Sequence, residues 1–503
     1  MPVHVMHYRR CDPRLTLLFA VLSSSMFAGC AVGPDYDQPA VDLPRRWSNA
    51  DSGDAQRPAQ LSQWWTRLND PLLNTLVSQA VDANFSVETA KARVREARAL
   101  VSQEAANLLP VGDGVASANR LRTPAVDAIP AKISSAYRSG FDASWEIDLF
   151  GGLRRSVEGA QYGADAAEED LRNTLLVLIG DVALNYSLAR AYQARAALAR
   201  RAAKSQRESA KLTRSKYDAG VATTADVANA EALAASTEAD IPSFEIDAAR
   251  AVHRLGVLLG KSPSALIGQM KNGGLISRPK MPLPVGVPAD VLLTRPDVRR
   301  AERQLAQATA RIGVAEAARY PSVSLTGNIA TEALDINDLA RKSSLAWAIG
   351  PRLTVPILRA GQLKAVADAA RARRDASFAN FQSLVLIAME DVENAIVSLS
   401  QQRIRSGKLA SAVASYRTAA DAARTQFETG STTYLELLDA QRALYAAEGK
   451  LIDSRLATVA AYIALNKSLG GGWTGVVNTQ APLNIDQRNG PRIATTRIFG
   501  NER

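Results

Sequence analysis

The sequence predicts a mainly α-helical chain that also supplies strands to a membrane β-barrel and is built as a tandem repeat. Three observations lead there. Landmark residues recur at a near-constant offset: Gly430 stands 210 residues after Gly220, Pro321 stands 211 after Pro110, Gly361 stands 209 after Gly152, and Gly470 stands 210 after Gly260. Each copy contains a stretch in which apolar and polar residues alternate with a period of two, the mark of a strand with one apolar and one wet face. Each copy then continues into an unbroken helix-compatible run, 153–218 and 362–428. At 1.5 Å per residue either run is about 100 Å long, far beyond a globular helix, and needs lateral partners.

Composition removes several function classes. The 503 residues are 47% hydrophobic, enough for a large core, and carry a formal net charge of +10. Of three histidines, His4 and His7 lie in the first segment, which leaves His253. The two cysteines, Cys11 and Cys30, are both near the N-terminus. Zinc sites and Cys/His or Ser/His nucleophile pairs need several such groups to converge, so neither catalysis of that kind nor a cofactor is expected. Lys and Arg are interspersed with acids along helical stretches such as 91–104 and 200–216, without the interleaved aromatics of a single-strand binder. Nucleic acid is therefore not an expected partner. Glu168, Glu169 and Asp170 read as a solvated helix face rather than an acid/base pair.

In order along the chain, 1–29 has the features of a signal peptide: Arg9, Arg10 and Arg14 precede an apolar run that ends in Phe27-Ala28-Gly29-Cys30. The small residues before Cys30 resemble a bacterial lipobox, which makes Cys30 the acylated first residue of the mature chain. By the same resemblance, Ala31 in place of Asp favours sorting to an outer membrane. An extended arm, 30–70, follows, with Trp47, Trp64 and Trp65 as apolar anchors.

The first repeat spans 71–260. Pro71 opens a helix expected over 72–108, and Pro110 ends it. Over 133–149 the odd positions include Ile133, Tyr137, Phe141, Trp145 and Ile147, against Arg138, Asp142, Ser144 and Glu146 at even ones. A weaker partner strand is expected over 111–122, joined by a loop over 123–130. The second repeat, 289–470, recapitulates this with 322–329 and 345–357, where Leu345, Trp347, Ile349 and Leu353 oppose Gly350, Arg352 and Thr354. A soluble sandwich satisfies bare alternation. Strand length, aromatics on one face and charges on the other fit a barrel wall, in which lipid-facing and lumen-facing residues alternate. Short companion helices, 224–259 in the first copy and 288–319 and 433–468 in the second, accompany the long runs. A coiled-coil rod is the plain alternative for the helices alone.

Each copy also carries a helical hairpin tip. Gly430 can adopt the positive φ that ends a helix, Ser431, Thr432 and Thr433 offer hydroxyls to the next, and Glu436 lies three residues past Thr433, as in a capping box. In the first copy Gly220, Thr223 or Thr224, and Asp226 occupy the same places. The stretch 261–288 is a Pro/Gly-rich linker, and its Gly260-Lys261-Ser262 is no phosphate loop, because the glycine spacing is wrong and a helix precedes it. The stretch 471–503 is a polar tail.

Taken together, these motifs resemble the TolC-like outer-membrane factors, in particular their NodT-like lipoprotein branch. The residues that carry the resemblance are Cys30-Ala31-Val32-Gly33-Pro34-Asp35-Tyr36, Trp64-Trp65 with Asp70-Pro71-Leu72, Asp148-Leu149-Phe150-Gly151-Gly152, Arg295-Pro296-Asp297-Val298, and the tip from Gly430 to Gln441. The resemblance implies a homotrimer in which each protomer gives four strands to one twelve-stranded barrel and helices to a periplasmic tunnel. It also implies docking to a periplasmic adaptor and an inner-membrane transporter, with the tip turns at Gly220, Gly430, Phe427 and Thr432 as the contact. The implied function is a passive exit duct for drugs or small toxic compounds. A secretion duct for proteins and a non-channel structural lipoprotein are the alternatives. The resemblance further assigns Asp226, Glu436 and Asp439 to an acidic ring at the periplasmic end, although Asp226 and Glu436 equally suit helix capping. Phe427 and Thr432 stand where the family pattern has a tyrosine and an arginine, so the closed tip is expected to rely on packing of Phe427 and Leu435. The residues add one independent point: four strands cannot close a barrel, and an open edge in hydrocarbon costs several kcal/mol per unpaired group.

Overall fold

A computed structural model describes residues 31–49, 61–125, 130–274 and 294–474, the isolated positions 276, 279, 286 and 288, and the backbone of Ile485–Asp486 and Gly490–Pro491. Cys30 and the signal stretch lie outside the described residues. The chain divides into two compact units: one comprises the chain up to Pro39, Arg95–Ala166 and Ala301–Asn380, the other Ala40–Val94, Ala167–Arg300 and the chain from Phe381 onward.

The first unit contains the sheet. Strands β1 (Val111–Thr123), β2 (Lys132–Ile147), β3 (Ser322–Ala333) and β4 (Leu345–Thr354) pair antiparallel in sequence order, so each repeat gives one hairpin and the two hairpins join through β2 and β3. β3 runs four residues past the expected 329, and two other strands end short of expectation. Leu149 falls outside β2 because the Asp148 carboxylate accepts the N–H groups of Leu153 and Arg154, and Gly151 at φ 79° turns the chain. That turn starts the long helix α3 (Gly152–Asp218). β4 stops at Thr354, because Pro356 has no N–H to continue a ladder.

The start of the arm, up to Pro39, packs within this same unit. Val32 N–H donates to the Phe150 carbonyl at 3.0 Å, and Gly33, at φ 92°, lies so close to Gly313 that a Cβ would stand 2.5 Å from its Cα. Asp35 pairs with Arg155 of α3, and the Tyr36 hydroxyl donates to Glu302. Burial, with the carboxylate of Glu302 next in weight, pushes the Tyr36 hydroxyl well above its ordinary pKa.

The second unit is helical. Asp70 caps α1 (Pro71–Ala83) by accepting from Leu72 and Leu73, with Pro71 at the first helical position. The single helix expected over 72–108 is in fact two. Asn84 leaves helical geometry and uses its side-chain oxygen to cap α2 (Phe85–Ala106) at Ser86 and Val87, while its amide donates to the Leu258 carbonyl at 2.8 Å. Leu258 ends α4 (Thr224–Leu258), so the break in one helix is welded to the end of another. The run expected as one helix over 288–319 is interrupted at Arg295, which is not helical ahead of Pro296, and Pro296–Ala317 forms α5, most of it in the first unit. The second copy's long helix is α6 (Ala360–Thr429), followed by α7 (Tyr434–Ser468). Leu73, Leu76, Ile179, Val182, Leu255 and Tyr462 are fully buried in this unit, and the Trp64 ring stands edge-on to Tyr462, whose hydroxyl donates to the Trp64 carbonyl.

Candidate channel wall and helix tips

The registered pairs give the sheet two chemically distinct faces. On one, Phe141 pairs with Ile329 and Ile329 with Trp347, while Trp145 pairs with Leu325 and Val323 with Leu353. This row is apolar yet open: Phe141 is 67% exposed and Trp347 71%. A contiguous exposed apolar face of this size marks a membrane or protein contact. The other face carries Asp113 opposite Asp142, Asn328 beside Asp142, and Ser117 and Glu332 flanking Arg138. Arg138 forks onto both oxygens of Asp142, at 3.2 and 2.6 Å, and reaches Glu332 at 3.3 Å. The expected division of Tyr137, Phe141, Trp145, Leu345, Trp347 and Leu353 from Asp142, Glu146 and Arg352 thus coincides with the two faces of one sheet. β1 is the weak member, with Gly112, Gly114, Ala116 and Ala118 at the positions that continue the apolar rows.

The tips share one backbone design. Gly220 takes φ 73° and Gly430 φ 82°. Beside them the N–H of Val221 reaches the Lys216 carbonyl and that of Ser431 the Gln426 carbonyl, each at 2.8 Å, bonds that satisfy the last carbonyls of α3 and α6. A Cβ at either glycine would meet nothing, so the positive φ is what calls for glycine there.

Side chains part the two tips. In the first, Thr223 and Asp226 form a reciprocal capping box: Asp226 N–H donates to the Thr223 hydroxyl, and Thr223 N–H to the Asp226 carboxylate at 2.9 Å. In the second, the capping box expected from Thr433 and Glu436 does not form. Thr433 makes no side-chain cap bond, and the Glu436 carboxylate accepts from the Thr432 hydroxyl one residue upstream. Glu436 and Asp439 are both exposed. Phe427 is 3% exposed and stands edge-on to Tyr434, 5.7 Å between centroids. Both belong to a core of Ala210, Ala230 and Leu233 from the first copy and Leu437 and Leu438 from the second. Leu435, expected to pack with Phe427, is 60% exposed. It lies about 100° round the helix from Tyr434 and projects away from the core that Tyr434 enters.

Tyr434 and Lys216 are the tip residues that sequence reasoning missed. Burial pushes the Tyr434 hydroxyl up to about 12, with Arg442 opposing and Asp226 of the first tip adding to the rise. The Lys216 ammonium donates to the Phe427 carbonyl and lies over its ring. Lys216 and Gln426 occupy matching positions 210 residues apart, and that mismatch was the available signal. Along the helices beside the first tip, Arg207 pairs with Glu238 and Arg214 with Glu231 around a groove floored by Ala210, Ala234 and Ala235. Among the described residues no group of three or more His, Cys, Asp or Glu is placed to hold a metal.

A sheet with one apolar, exposed face and one charged face, joined to helices of about 100 Å, fits a channel protomer with a membrane wall and a helical tunnel. Comparison with known proteins gives that class its family. The family model described as Outer membrane efflux protein matches twice, at residues 76–261 and 287–471, one match per repeat. Nodulation protein T of Rhizobium leguminosarum bv. trifolii is 34% identical over 469 residues, covering 92% of this chain and 99% of that protein. The toluene efflux pump outer membrane protein TtgI of Pseudomonas putida is 34% identical over 466 residues, with 91% and 98% covered. Among solved structures, the outer-membrane channel OprN superposes with a TM-score of 0.84 at 34% identity, covering 88% of this chain and all of that one. The chain belongs to the outer membrane efflux protein family, and it is an efflux channel of the outer membrane.

Proposed function

We propose that three copies of this chain close a twelve-stranded barrel and form the exit duct of a tripartite efflux system. The duct receives drugs or small toxic compounds from an inner-membrane transporter through a periplasmic adaptor and performs no covalent chemistry on them. The name of TtgI, with toluene as cargo, supports small apolar compounds as the class carried. The observation that carries the reading is the sheet: β1 and β4 are open edges, and the face between them is apolar and exposed. Unpaired edge groups in hydrocarbon cost several kcal/mol each, and edge-to-edge closure with further copies removes that cost.

Cys30 carries the lipid that anchors the mature chain, and Cys30→Ser removes the acyl mass without abolishing the barrel. At the periplasmic end the exposed Glu436 and Asp439, repeated by symmetry, form the acidic ring. Asp226, spent on its capping box, contributes to it mainly as a fixed charge. Adaptor contact falls to the turns at Gly220, Gly430 and Thr432 and to the groove beside Arg207 and Arg214, since Phe427 is buried within the protomer. Reconstitution into a planar lipid bilayer tests the duct directly. Discrete conductance steps from a particle of three chain masses are expected. A monodisperse particle of one chain mass, or one that leaves the bilayer silent, would sink the proposal.

A further inference from the structure

Lys216 and Phe427 belong to different copies of the repeat and meet at the tips. The Lys216 ammonium donates to the Phe427 carbonyl oxygen and stands 4.1 Å from the centroid of the Phe427 ring. The same carbonyl accepts the Gly430 N–H at 3.2 Å, so the cation sits in the last turn of α6, where terminal carbonyls leave partial negative charge. One side chain therefore makes a charge-assisted hydrogen bond, a favourable contact with a helix end and a cation–π contact on a single residue. Phe427 is itself immobilised, edge-on to Tyr434 inside the core shared by both copies.

The link runs one way only. At the positions equivalent to Lys216 and Phe427, 210 residues away, stand Gln426 and Tyr217, and Tyr217 is 39% exposed. The polar contacts closest to the turn in the second tip, Thr432 with Glu436 and Thr429 with Ser431, stay within that tip. Other polar links between the two hairpins, Gln441 to Ser209 and Arg424 to Glu208, lie further back along the helices.

We propose that Lys216 is a positioning residue that ties the second tip to the first within each protomer, acting through Phe427. The distance between the two turns is then held to a narrow range. This rests on the duct reading above, and the test separates the two. Spin labels at the exposed positions Val221 and Leu435 report the distance between the tips in the full-length protein in lipid nanodiscs, with labelled chains diluted in unlabelled ones so that only distances within a protomer are read. The wild type and Lys216→Arg, which keeps a donor and a cation, are expected to give one narrow distribution. Lys216→Met and Lys216→Gln, the latter installing the residue of the second copy, are expected to widen it about two-fold or more. A distribution as narrow as wild type in both neutral variants overturns the tie, and so does a Lys216→Arg distribution as wide as theirs, because the charge would then not be the agent. Conductance recorded on the same preparations speaks only to the duct: a silent wild type ends the duct reading and leaves the distances to decide the tie.

Discussion

The two tips descend from one turn and are held together by different means. Their backbones agree down to the glycine at positive φ and the 2.8 Å bond that follows it. The first tip then relies on polar closure, with Thr223 and Asp226 satisfying each other's backbone N–H while its aromatic, Tyr217, stays partly in solvent. The second lacks that box and relies on apolar closure, burying Phe427 against Tyr434. A turn whose path is set by glycine and by the two helix axes leaves its flanking side chains free to specialise. Here one tip became a self-contained cap and the other an apolar plug tied to its neighbour by Lys216.

If that division is right, Phe427→Ala gives the largest effect, a loss of about 3–5 kcal/mol for a buried ring, whereas Tyr217→Ala costs no more than about 1 kcal/mol. Amide hydrogen exchange across 206–236 and 423–441 measures both, and equal losses would break the comparison. The wall sharpens it, because there both copies contribute to the same apolar face. Phe141→Arg and Trp347→Arg, one in each hairpin, should each cost about 2–4 kcal/mol at lipid-facing positions and lower the yield of assembled barrel alike. Ser144→Arg is the control: it lies on the charged face and avoids the Arg138 pair that Asp142 makes, so assembly should survive. Equal damage at all three positions would count against a membrane wall.

A smaller contrast lies in the caps. Thr223→Ala should destabilise the start of α4 by about 1 kcal/mol, while Thr433→Ala, with no cap bond to lose, should shift α7 by a few tenths at most. Exchange rates in the first turns of the two helices decide it. The smallest effect on stability, within about 0.5 kcal/mol, is expected for Glu436→Gln combined with Asp439→Asn, since both side chains are exposed. The same pair should nonetheless lower cation selectivity and weaken block by multivalent cations, because neutralising a ring of acids removes its focused potential. Single-channel recordings that match the wild type would leave Glu436 and Asp439 without a role in the conduction path.

Much of this architecture was written in the chain itself. The repeat, the glycine that ends each long helix, the alternation that assigns Phe141 and Trp347 to one face and Asp142 and Arg352 to the other, and the length of the helical runs all follow from local rules. Side-chain direction repeats every two residues in a strand and every 3.6 in a helix, so one-dimensional order is enough to read them. Tertiary structure alone decided where the helix over 72–108 breaks, because the Asn84 amide finds its partner in the carbonyl of Leu258, 174 residues away. The Lys216 link belongs to the same class: a cation has no periodicity to betray its partner, and its target is a backbone carbonyl, which every residue possesses and only packing brings within reach.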